Sequence, residues 1–206
     1  VSFDWDTLHE FQKNSLKLMR GNTIKQYSFD KYDSNTDFSI QDVILDGDVN
    51  WQLSIPGVDE IIDKSSPSDS PKLIVEGRLI GGCIDCIAKL IGTPFDGTRS
   101  FVKKYPRKIW FLDNFAMTSF DLYLTMMQMK YCGYFKGTKA ILFGRTMFGD
   151  KSDEEYIAQL RQAIPDIPFI WNADIGHVKP CFTVINGAYG RVTCAQGKGT
   201  LEQALV

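Results

Sequence analysis

Hydrophobic and polar positions change period several times along the chain, and each change marks an element. Leu8, Phe11 and Leu18 fall on one helical face, with Gly21 placed to end that helix; His9 lies beside the stripe and reads as a partly exposed helix residue. Residues 22–42, "NTIKQYSFDKYDSNTDFSIQD", are polar and turn-rich, and "VILDGDVNWQLS" then alternates as short strands do. Pro67 and Pro71 make "DKSSPSDSPK" a loop rather than a central strand.

"LIVEGRLIGGCIDCIAKLIGTPFDG" predicts a strand, a tight turn at Gly81-Gly82 and a short helix ending at Gly92. "RKIWFLDNF" is a buried strand ending in the carboxylate of Asp113. Thr118 and Asp121 form a capping pattern, which accounts for Asp121, and Phe120, Leu124, Met127 and Tyr131 keep the spacing of one helix face up to Gly133. That stripe, methionines included, is expected in the core. "KAILFGR" is a strand, and Ser152 with Glu155 caps a further helix whose apolar side holds Ile157, Leu160 and Ile164 before Pro165. "PFIWNAD" is a strand leading to His177, "CFTVINGAYGRVTC" predicts a hairpin turning near Asn186-Gly187, and "GTLEQAL" is ambiguous. The expected fold is mixed α/β (α+β), with many short strands and three or four helices.

Composition narrows the functional classes. The chain has 206 residues, is 44% hydrophobic, and its net charge of −2 is dispersed without a basic block, so neither nucleic acid nor an anionic membrane is expected as a partner. No apolar run approaches the roughly 20 residues of a membrane span. "VSFDWDTLHE" lacks the features of a signal peptide, and a soluble piece of a longer protein is expected. Five cysteines, an odd number set in or beside apolar segments, suit reduced thiols in the cytoplasm. Cys83 and Cys86 form a C-x-x-C, but no second ligand pair accompanies it, and neither metal nor redox chemistry is expected there.

Two residues carry candidate chemistry. His177, one of two histidines, can act as a base, and Asp113 can orient it, because both follow apolar strands whose ends gather at one edge of such a domain. No G-x-S-x-G elbow occurs, and the serines cluster in polar loops. Cys181, shortly after His177, is a conceivable nucleophile of a cysteine hydrolase, although its setting looks like a strand start. Arg145 either meets a substrate carboxylate or forms a structural ion pair, and Trp51, Trp110 and Trp171 are core or cleft-wall residues.

"EGRLIGGCIDCIAKLIGTPFD", "IWFLDNF", "MKYCGYFKGTKAILFGR", "IPFIWNADIGHVKP" and "INGA", in this order over roughly residues 70–195, resemble the C-terminal half of the serine peptidase family S66, which includes L,D-carboxypeptidase and the microcin C immunity protein, the microcin-immunity-like branch being the closer match. The resemblance implies a Ser-Glu-His triad split between two domains, with the serine on an N-terminal domain outside this chain. It makes residues 1–25 a connecting helix and residues 26–206 a swivelling β/β/α-type domain that supplies acid and base. His177 then becomes the general base, and Asp113 takes the place of the glutamate, with a reach shorter by about 1.5 Å. Cys83 stands where the family has an asparagine, which removes an amide able to donate to substrate or to brace the site and points to an altered substrate preference, with Cys83 as a substrate-binding candidate. The implied substrate is a peptide or peptide-nucleotide, the implied partner is the nucleophile domain with a homodimer possible, and no cofactor or metal is implied. A rival is a relative without catalysis that only captures peptide.

Overall fold

The computed structural model describes residues 13, 16, 17, 20, 21, 23–37, 42–58 and 71–205. The stripe Leu8, Phe11 and Leu18, His9, and most of the loop expected over 63–72 lie outside the described residues. Among the described residues ten strands follow in chain order: β1 (Ile24–Tyr27), β2 (Lys31–Asp33), β3 (Leu45–Asp48), β4 (Gln52–Ser54), β5 (Lys72–Cys83), β6 (Lys108–Asp113), β7 (Thr138–Gly144), β8 (Phe169–Ala173), β9 (Tyr189–Ala195) and β10 (Lys198–Ala204). From β5 onward the helices are α1 (Ile84–Leu90) and α2 (Thr98–Lys104), both between β5 and β6, α3 (Ser119–Tyr131) after β6, and α4 (Asp153–Ala163) after β7. Eight strands form one mixed sheet in the order β1-β10-β9-β5-β6-β7-β8-β4, and β2 pairs with β3 apart from it. Strands β5 to β8 run parallel; the others in the sheet pair antiparallel.

Alternation along β6 builds a core on each face of this sheet. Trp110 and Leu112 meet Leu122, Met126 and Met129 of α3 and Tyr156, Ile157 and Leu160 of α4. Ile109 and Phe111 meet Trp51, Phe182, Val192 and Leu201 on the other face. A parallel strand covered on both sides reads as a continuous apolar run, as "KIWFLD" does, and all six of its residues are buried.

Four expectations change. Gly81-Gly82 makes no turn: β5 continues through both glycines to Cys83, and glycine is required because a Cβ on Gly81 would stand 1.7 Å from the carbonyl oxygen of Phe111. Of the stripe Phe120, Leu124, Met127 and Tyr131, Phe120, Leu124 and Tyr131 are exposed, whereas Met127 is partly buried against the core that Leu122, Met126 and Met129 enter. The segment after Cys181 is not a hairpin arm. Its backbone bonds instead to two glutamine amides: Gln26 donates to the carbonyl of Thr183 (2.9 Å) and accepts from its N–H (3.0 Å), and Gln203 accepts from Ile185 N–H (3.1 Å). Asn186 docks on β5, accepting from Gly81 N–H (2.8 Å) and donating to Gly81 O (3.1 Å), and the hairpin is β9–β10, turning at Gln196-Gly197. The ambiguous tail is therefore β10, and the polar segment 22–42 contains β1 and β2.

Candidate active site

The C-terminal ends of β6, β7 and β8 bring the candidate residues together, at the edge where sites form in parallel α/β sheets. Asp113 closes β6, and Cys83, ending β5, stands beside it in register. Past β8 the chain turns through Asp174 and Gly176 to His177. Gly176 has φ +97°, and a Cβ there would lie 1.9 Å from Oδ1 of Asp113; Gly144 also packs its backbone near that oxygen. The glycine before His177 is thus what lets the loop settle on the carboxylate.

Oδ2 of Asp113 contacts Nδ1 of His177. The Asp113 side chain is 7% exposed and that of His177 42%, so the acid is held in the interior and the imidazole reaches the surface. Burial pushes the Asp113 carboxyl above its ordinary range, and the charge and hydrogen bond of His177 oppose that rise. With Nδ1 engaged, Nε2 is the nitrogen not committed to Asp113. The ring packs against Phe115 (4.7 Å between centroids), which meets Phe148 edge-on (5.2 Å).

Two residues that sequence reasoning passed over shape this edge. Asp85, in the first turn of α1, accepts hydrogen bonds from the N–H groups of Phe115 (2.9 Å) and Ala116 (3.1 Å). Asn114, fully buried, donates to Met117 O (3.1 Å) and Thr146 Oγ1 (3.2 Å) and accepts from Met117 N–H (3.0 Å). They fix the loop that seats Phe115 under His177. Their signals were an acidic residue inside the C-x-x-C and a polar residue next to Asp113.

The remaining candidates separate. Burial pushes the Cys83 thiol up to about 11, and its Sγ lies 3.7 Å from Asp85 Oδ2, so it stands at the site as a neutral donor. Burial, and after it the charges of Asp113 and Asp174, raise the Cys181 thiol, which suppresses the thiolate a nucleophile needs. Arg145 is 2.8 Å from Asp174 in a buried ion pair, its guanidinium 4.4 Å from the centre of the Tyr32 ring, and Asp174 also accepts from Phe29 N–H (2.9 Å). Of its two readings the structural ion pair holds, and it anchors the root of the His177 loop. Trp51, Trp110 and Trp171 are all core residues. Asp121 belongs to the N-terminal cap of α3: its N–H donates to Oγ1 of the capping Thr118 (3.1 Å), whose hydroxyl donates to Asp121 Oδ2 (2.8 Å).

Beside His177 a small depression lined by Asp33, Met147 and Val178 shares those three residues with a polar cavity of about 260 Å3. A larger apolar cavity, about 420 Å3 between Ile87, Phe95, Phe101 and Trp110, includes neither Asp113 nor His177. Among the described residues no helix is long and apolar enough to cross a membrane.

Residues 76–192 match the family described as LD-carboxypeptidase C-terminal domain. The chain belongs to that family. Asp85, Asp113 and His177 all lie inside the matched stretch. No curated protein sequence matches the chain. Among solved structures, the fold of this LD-carboxypeptidase C-terminal domain is similar to a MccF-like protein from Bacillus anthracis (TM-score 0.69, 16% identity, 95% of this chain and 55% of that one). It is also similar to muramoyltetrapeptide carboxypeptidase from Oxalobacter formigenes (TM-score 0.62, 17% identity, 97% and 56%). A MccF-like protein from Streptococcus pneumoniae in complex with AMP gives TM-score 0.61 and 18% identity, over 96% and 59%. The chain thus spans little more than half the length of these proteins.

Proposed function

We propose that this domain is the acid-base half of a cytoplasmic serine-type carboxypeptidase that hydrolyses an amide next to a terminal carboxylate, in an L,D-linked cell-wall peptide or a peptide-nucleotide. The observation that carries this reading is the Asp113–His177 contact, made by a buried carboxylate and a partly exposed imidazole at one strand edge. The similar structures fit both substrate classes, one being a muramoyltetrapeptide carboxypeptidase and another MccF in complex with glutamyl sulfamoyl guanosine.

In this mechanism a serine from a domain outside the chain attacks the amide carbonyl carbon while His177 Nε2 takes its proton. The tetrahedral intermediate expels the amine, which leaves with that proton, and water then hydrolyses the acyl-enzyme by the same base. Asp113 holds the Nδ1–H tautomer and stabilises the imidazolium. Cys83, next to Asp113 but with its S–H directed at Asp85, lines the place where the substrate would lie.

Fluorophosphonate labelling of the full-length gene product, read by mass spectrometry, tests the proposal. One labelled serine in the wild type that goes unlabelled in His177→Ala is expected. Equal labelling in both forms, or none in either, would sink it and favour a domain that only captures peptide.

A further inference from the structure

Cys83 ends β5 and stands at the N-cap of α1, and Cys86 is the third residue of that helix. The C-x-x-C thus opens a helix directly after a strand, within a connection between parallel strands, and that setting suits a dithiol pair where its spacing alone predicts none. Side chains at the N-cap and at the third helical residue reach toward each other across a first turn, as Ser152 and Glu155 do in the reciprocal cap of α4. At α1 the Cys83 side chain makes no cap bond, and Cys86 is exposed. We infer that Cys83 and Cys86 form a reversible disulfide across the first turn of α1, a site of modification by peroxide at the edge that holds Asp113 and His177.

Exposure divides the roles. The Cys86 thiolate attacks hydrogen peroxide; a sulfur–oxygen bond forms, the O–O bond breaks and hydroxide leaves, so Cys86 becomes a sulfenic acid. Burial pushes the Cys83 thiol up to about 11, which keeps it out of this step and leaves it as the resolving partner. Cys83 Sγ then attacks the Cys86 sulfur, and its proton passes to Asp85, whose Oδ2 lies 3.7 Å away. The sulfur–oxygen bond breaks, and the departing hydroxide takes up a proton and leaves as water. Two thiols and one peroxide give one disulfide and two waters, and a dithiol reductant restores both thiols by exchange.

Closing this bond moves groups that shape the site. Helix neighbours three apart hold their Cβ atoms about 5–6 Å from each other, and a disulfide needs roughly 3.5–4.5 Å, so the first turn tightens by about 1 Å. Cys83 is drawn away from Asp113, its partner in the β5–β6 register, and Asp85 shifts with the turn between the two cysteines. Asp85 holds the N–H groups of Phe115 (2.9 Å) and Ala116 (3.1 Å), so the shift passes to the loop that seats Phe115 against the His177 ring. Resting on the serine-peptidase reading of this site, the consequence is slower acylation, by up to about 100-fold for a misplacement of that size.

Peptide mapping by mass spectrometry of the full-length gene product, after hydrogen peroxide and blocking of free thiols with N-ethylmaleimide, tests this. A Cys83–Cys86 disulfide is expected, two hydrogens lighter than the dithiol and reopened by dithiothreitol. In Cys83→Ser, Cys86 should stop at a sulfenic acid that dimedone traps, and in Cys86→Ser, Cys83 should stay a thiol. Wild-type Cys86 that stays a thiol or goes on to sulfinic acid without bridging overturns the inference, as does Cys83 bridged to any other cysteine. Fluorophosphonate labelling of the same samples should slow on oxidation of the wild type, recover with dithiothreitol and stay unchanged in Cys86→Ser. Equal labelling of oxidised and reduced wild type overturns the link to His177. A mapped disulfide with no serine labelled in any sample upholds the modification site and overturns the serine-peptidase reading.

Discussion

Replacing Gly176 by alanine is the sharpest test of how the site is held. At φ +97° a residue with a side chain costs about 1–2 kcal/mol more than glycine. The new methyl would start 1.9 Å from Oδ1 and 2.4 Å from Cγ of Asp113, so loop and carboxylate must part. Overpacking of this kind adds about 1–3 kcal/mol, giving a loss of about 2–5 kcal/mol altogether. At about 2–4 °C per kcal/mol for a domain of this size, the melting temperature should fall by roughly 4–20 °C. Urea and thermal denaturation measure the loss, and nitrogen-15 NMR of the His177 ring reports whether Nδ1 still carries the proton directed at Asp113. A variant within about 0.5 kcal/mol of wild type that keeps the Nδ1–H tautomer would show that Gly176 does not gate this contact.

Arg145→Met leaves Asp174 buried without its cation and should cost about 3–5 kcal/mol by urea denaturation, much of it recovered in Arg145→Met/Asp174→Leu; a loss below about 1 kcal/mol in the single variant would refute the anchoring role. Burial raises Asp113, so the folded chain holds that proton more tightly than the unfolded one. Its contribution to stability is full below the ordinary value of 3.8 and is lost as pH rises through the raised folded value. Asp113→Asn should therefore flatten the decline of urea stability between acid and neutral pH, and an unchanged slope would contradict the assignment. Timed alkylation followed by mass spectrometry should modify exposed Cys86 first and Cys83 and Cys194 late, because burial pushes those two thiols up to about 11 and about 12; Cys83 reacting ahead of Cys86 would contradict its placement.

The alternating order of strands and helices from β5 to β8 was legible because each strand there is a short apolar run and α3 and α4 start at side-chain caps. β1 and β10 were obscured by Gln26 and Gln203, buried polar residues whose amides bond to backbone and so break the apolar alternation. The outward row of α3 misled for a different reason: with apolar residues on both sides, periodicity finds a helix and cannot say which side is inside. The strand-end positions of Asp113 and His177 could be read from the chain, because each follows a hydrophobic run. Asp85 and Asn114 showed only as polar residues beside Cys83 and Asp113, since the bonds that give them meaning join residues up to thirty-two positions apart.

The niche around Asp113 also limits which acid the site can hold. Gly144 and Gly176 leave no spare volume beside its carboxylate, so the acid and the two glycines are sterically matched to one another. Lengthening the acid by a methylene while keeping the glycines would push the loop off, and enlarging a glycine while keeping the aspartate would do the same. A longer acid at this position therefore requires the backbone after β8 to move in step with the side chain.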